Sequence, residues 1–134
     1  MRVLVVFDEP AMCLTYGTIL EMSGYAVRSV HAPLRNDKGR TSYSAETADQ
    51  LLETASNFRP DRMIMMLQGL DSSGQMDVAI AIHNLMPAAK FVFFINHPPE
   101  KELEIAGTHG LDHQFGVVPL PISDLLDMLG NSGT

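Results

Sequence analysis

At 134 residues, the chain suits one domain large enough to bury a core, and its 46% apolar against 19% charged content excludes wholesale disorder. A net charge of −7 with a pI near 5.0 argues against binding to a nucleic-acid backbone. The single cysteine, Cys13, excludes an intramolecular disulfide and a zinc site of CxxC type, and the apolar start is interrupted by Asp8 and Glu9 well short of a signal peptide or membrane span, so a cytoplasmic location is expected.

The elements alternate along the chain. Val3–Phe7 is a continuous apolar run, the pattern of a strand buried on both faces. Glu9-Pro10 opens a helix reaching about Ser23, where proline in the first turn loses no hydrogen bond. Met12, Tyr16, Ile19 and Leu20 form its apolar stripe and Gly24 its C-terminal cap. Tyr25–Val30 reads as a second strand, and the polar stretch Pro33–Tyr43 as a loop. A helix follows from about Ser44, whose side chain suits the N-cap, with Ala48, Leu51, Leu52 and Ala55 at helical spacing. Met63–Leu67 is a third strand, Gly69–Gly74 a loop and Met76–Leu85 a third helix stopped by Pro87. Phe91–Ile95, Glu100–Gly107, Val117-Val118 and Ile122–Leu129 complete the series as strand, helix, strand and helix.

Five such strand–helix units imply a parallel sheet covered on both faces, because parallel neighbours need a long return connection. The expected fold is one α/β domain over residues 1–134, a three-layer doubly wound sandwich of five parallel strands in flavodoxin-like order. Any crevice lies at the carboxyl ends of the strands.

Several segments in order resemble the response-regulator receiver family over nearly the whole chain. Val3–Pro10 is similar to its first strand and acidic turn, and Gly24–Val27 to the entry of its second strand. Arg59-Pro60-Asp61 before Met63–Leu67 resembles the approach to its phosphorylation site, with Gly74 where the family has a glycine before the third helix. Ala106–Asp112 and Leu120-Pro121-Ile122 resemble the exit of its fourth helix and its Lys-Pro-Phe segment.

The resemblance implies acids after the first strand and on the third, gathered around Mg²⁺, with a switch hydroxyl and a lysine that contact the phosphoryl group. Carried over, the acidic-pocket positions are Phe7 and Asp8, the phospho-acceptor position is Met66, the hydroxyl position is Ile95 or Asn96, and the lysine position is Leu120. Only Asp8 keeps the family's chemistry. One carboxylate is a weak candidate for a metal site, so no cofactor is expected, and Mg²⁺ enters only if the acidic site is rearranged. The apolar replacements imply a degenerate pseudo-receiver with a filled pocket.

Other features carry bland and functional readings side by side. Asp71, in the loop after the third strand, caps a turn or serves as a displaced acceptor. His109 and His113 lie four apart, but Gly110 between them breaks the helix that metal binding would need. Five of the nine methionines, Met63, Met65, Met66, Met76 and Met86, fill the core or form an adaptable contact surface. The stretch before the second helix is longer than receivers usually have there and holds Arg35, Lys38 and Arg40, a mobile insertion or a basic surface for an acidic partner.

The expected function is a phosphorylation-independent signalling module, not an enzyme, working through protein partners or a homodimer, with neither nucleic acid nor membrane. Two alternatives stand beside it. One is an active phosphorelay receiver using Asp8 and Asp71; the other is an unrelated flavodoxin-like ligand-binding domain.

Overall fold

In the computed structural model, residues 1–69, 71–118 and 121–131 are described. The strands are β1 (Arg2–Phe7), β2 (Ala26–His31), β3 (Leu34–Asp37), β4 (Arg40–Tyr43), β5 (Arg62–Met66), β6 (Lys90–Ile95) and β7 (His113–Val117). The helices are α1 (Pro10–Met22), α2 (Ala45–Phe58), α3 (Ser73–Leu85), α4 (Glu100–His109) and α5 (Ile122–Asn131). Five strands form one parallel sheet in the order β2-β1-β5-β6-β7. This is the expected doubly wound, flavodoxin-like arrangement.

The apolar runs are central strands for a plain reason: β1, β5 and β6 are covered on both faces. Leu4, Val6, Met63, Met65, Phe91 and Phe93 point to one side, against Leu51 and Ala55 of α2, Met76, Ala79 and Ile82 of α3 and Ala106 of α4. Val3, Val5, Phe7, Ile64, Met66, Val92 and Phe94 point to the other, against Cys13 and Leu20 of α1 and Leu125 and Leu129 of α5. All five clustered methionines are buried in these two cores, so they serve as packing. Local signals also hold. Pro10 occupies the first turn of α1, and the Ser44 hydroxyl accepts a 3.1 Å bond from the Thr47 N–H at the start of α2.

Three expectations need correction. The segment Pro33–Tyr43 is not a loop but an antiparallel hairpin of β3 and β4. Its two turn residues, Lys38 (φ 53°) and Gly39 (φ 85°), both adopt left-handed backbone, as a two-residue hairpin with the sheet's natural twist requires. The Asn36 Oδ1 accepts a 3.1 Å bond from the Gly39 N–H across that turn. Second, the last sheet strand is β7, four residues earlier than the Val117-Val118 pair suggests, because this edge strand is only half covered and holds polar residues. Third, α3 begins at Ser73, ahead of its first apolar residue, Met76.

Candidate functional site

The carboxyl edge of the sheet carries the positions singled out above. Phe7 ends β1 and Met66 ends β5, and both lie in the core on the α1–α5 side, 1% and 6% exposed. The Phe7 ring stacks on Tyr16 at 5.2 Å and meets Phe94 edge-on at 5.6 Å, while Tyr16 and Phe94 meet at 5.3 Å. Three aromatic rings therefore occupy the space next to Met66, whose strand neighbour in β6 is Phe94. Burial of this kind stabilises by about 1.5–3 kcal/mol per large side chain. Ile95 ends β6 in the opposite core, and Asn96 is exposed with its Oδ1 3.2 Å from His97 Nδ1. Leu120 lies outside the described residues.

Asp8 follows β1, half-buried, and its neighbour is an amide rather than a second acid. Gln68 Nε2 donates to Asp8 Oδ1 at 3.3 Å, and the Gln68 N–H donates to Gln75 Oε1 at 2.9 Å. Gln75, fully buried on α3, donates from Nε2 to the Met66 carbonyl at 2.6 Å and to the Tyr43 hydroxyl at 3.1 Å. Burial pushes the Tyr43 phenol up to about 12, with the charge of Asp8 adding to the rise and the Gln75 hydrogen bond opposing it. Among the described residues, no group of three or more His, Cys, Asp or Glu side chains could hold a metal ion.

The loop between β5 and α3 is fastened from two sides. From the hairpin, the Thr41 N–H donates to the Asp71 carbonyl at 2.7 Å, and Arg40 reaches Ser73 Oγ at 3.0 Å and Asp77 Oδ2 at 2.8 Å. Gly74 permits this contact. A Cβ there would collide with Ser42 and come within 2.8 Å of the Thr41 carbonyl. From the α4 side, the buried Ser72 hydroxyl donates to Glu102 Oε1 at 2.8 Å, and Lys101 lies 3.4 Å from Asp71. His97 Nε2 shares the same Glu102 oxygen at 3.2 Å. Asp71 also closes a turn just ahead of α3 by accepting a 3.1 Å bond from the Ser73 N–H; Ser73 first, then Lys101, holds its carboxyl below the usual carboxylate value.

The remaining candidates separate. Arg35 and Lys38 are exposed on the hairpin, whereas Arg40 is committed to Asp77. His109 is exposed at the end of α4, Gly110 caps it in left-handed backbone (φ 70°), and His113 begins β7. Sequence reasoning missed Gln68, Gln75, Ser72, His97 and Glu102. Two of them carried a signal: Gln75 falls in line with Val78, Ala79 and Ile82, and Glu102 with Ile105 and Ala106, polar residues on buried helical stripes.

No family model matches the chain, and no curated protein matches it. Solved structures do. A response regulator receiver domain protein (CheY-like) from Methanospirillum hungatei superposes with a TM-score of 0.75 at 19% identity, over 97% of this chain and 90% of that one. The fold is that of a receiver domain. Chemotaxis protein CheY4 from Vibrio cholerae gives a TM-score of 0.74 at 15% identity over 98% and 97% of the two chains. A response regulator from Burkholderia pseudomallei, solved with a phosphorylated aspartic acid and a calcium ion, gives 0.71 at 21% identity over 98% and 68%.

Proposed function

We propose that this receiver-fold domain is a pseudo-receiver, a phosphorylation-independent signalling module of a two-component or phosphorelay-type pathway that acts by binding protein partners and has no catalytic step of its own. The observation that carries this reading is Met66. Met66 ends β5, at the position that the family resemblance assigns to the phospho-acceptor, and is a buried thioether packed in the same core as Phe7. A thioether has no acyl-phosphate chemistry, and Asp8 faces Gln68 instead of a second acid. The fastened β5–α3 loop supports the same reading, since a surface fixed without phosphate needs no switch.

Two surfaces suit a partner. Leu103 of α4 and Val117 of β7 are 46% and 64% exposed, apolar side chains available to another protein or a second copy. Arg35 and Lys38 on the hairpin offer positive charge to an acidic partner. No helix among the described residues is long and apolar enough to cross a membrane, in keeping with a module that works in the cytoplasm.

Incubation with a small-molecule phosphodonor and Mg²⁺, followed by intact-mass measurement, tests the reading. The expected spectrum shows no phosphoryl adduct on the parent chain. A base-labile, hydroxylamine-sensitive adduct that disappears in Asp71→Asn or Asp8→Asn would instead establish a rearranged active receiver.

A further inference from the structure

The polar contacts around the β5–α3 loop form a continuous line between two elements that share no strand. On one end is the hairpin, where Arg40 binds Ser73 and Asp77 and the Thr41 N–H binds the Asp71 carbonyl. At the other is the first turn of α4, where Glu102 accepts from Ser72 and Lys101 pairs with Asp71. Asp71, Ser72 and Ser73 are consecutive, so hairpin and helix hold the same three residues from opposite sides.

The α4 end depends on this hold. Its N-cap residue is Pro99, which has no polar side chain to satisfy the free N–H groups. Glu102 sits in the first turn, where a negative charge suits the helix dipole, yet it is only 2% exposed. A buried carboxylate is tolerable only with partners, and Glu102 has two, Ser72 Oγ at 2.8 Å and His97 Nε2 at 3.2 Å. Removal of Ser72 from its place leaves a buried acid short of a donor, and the least costly relief is movement of the α4 start toward water.

We propose that the hairpin and α4 are two ends of one mechanical coupling: docking of β3–β4 on the loop sets the position of the first turn of α4 through Ser72 and Glu102. The device couples a partner bound at the exposed Arg35–Lys38 end to the Leu103 face of α4. Only that last use rests on the proposed function. The coupling itself is a property of the folded chain.

Backbone hydrogen exchange of the full chain tests it without any partner or phosphodonor, so its failure is separable from failure of the proposed function. The Leu103 N–H, bonded to the Pro99 carbonyl at 2.8 Å, reports the α4 start, and the Ile64 and Phe93 amides of the central strands report global opening. Arg40→Ala should raise exchange at Leu103 by about fivefold or more, the lower range of typical coupling between sites, beyond any change at Ile64 and Phe93. In a Ser72→Ala background, the Arg40 substitution should add nothing at Leu103. Glu53→Ala, on the exposed face of α2, should leave both regions unchanged. Should Arg40→Ala open the whole domain, Arg40→Lys, which keeps the charge opposite Asp77 but loses the Nε donor to Ser73, takes its place. Faster exchange confined to residues 34–43, with Leu103 at its parent rate, would overturn the coupling, as would an equal Arg40 effect with and without Ser72.

Discussion

Met66 and its surroundings decide what the carboxyl edge of the sheet can do. A carboxylate introduced by Met66→Asp would enter a site lined by Phe7 and Phe94, with Asp8 just past the end of β1 and, among the described residues, no ion pair to Asp8. We expect a loss of about 1–4 kcal/mol, read from chemical denaturation, and no recovery on addition of Mg²⁺. Tyr43 supplies a second test. Its folded-state value lies near 12, above the 10.0 of a free phenol, so its contribution is complete below pH 10 and is lost as pH climbs through that window. Tyr43→Phe should therefore show a shallower fall of stability between pH 10 and pH 12 than the parent, by about one proton's worth of slope. At this scale, the sequence made Phe7, Asp8 and Met66 legible because they sit at the ends of unmistakable apolar runs. It hid Gln68 and Ser72, since a glutamine or serine in a polar loop looks the same whether it faces water or a buried acid.

At the scale of elements, the hairpin is the main departure from what the residues announce. Its strands are short and mostly exposed, and only Thr41 and Tyr43 alternate inward. That is too little apolar patterning to separate it from a loop; the one positive signal, a two-residue turn ending in glycine at Lys38-Gly39, is common in loops as well. The central strands and α2 were readable because burial on two faces, or on one stripe, imposes a strict pattern. β7 was half readable because an edge strand is under a weaker demand. Gly74 shows how an element can depend on a missing atom. Gly74→Ala would drive a methyl into Ser42 and the Thr41 carbonyl, so the hairpin must shift or undock. The expected cost is about 1–3 kcal/mol in thermal or denaturant unfolding, accompanied by faster amide exchange at Thr41. An alanine variant as stable as the parent, with Thr41 still protected, would mean the hairpin is not seated on α3.

For the whole molecule, the sheet, its two cores and its helices make a receiver fold whose β5–α3 loop is held by the hairpin on one side and α4 on the other. Charge and burial point the same way: Arg40 pairs with Asp77, Lys101 with Asp71, and Asp8 takes a hydrogen bond from the Gln68 carboxamide. On the proposed reading, a surface held in this manner needs no phosphoryl group to meet a partner, and its regulation would come from what binds it. The most direct measurement is the amide spectrum of the folded chain in solution, recorded alone, with Mg²⁺, and with Mg²⁺ plus beryllofluoride, an analogue of the carboxylate-bound phosphoryl group. The account requires the three spectra to coincide at Asp8, Gln68, Asp71, Leu103 and Val117. Saturable shifts that begin at Asp8 or Asp71 and spread to Leu103 and Val117 only when beryllofluoride is present would contradict it, and would make this domain a working phosphorylation switch.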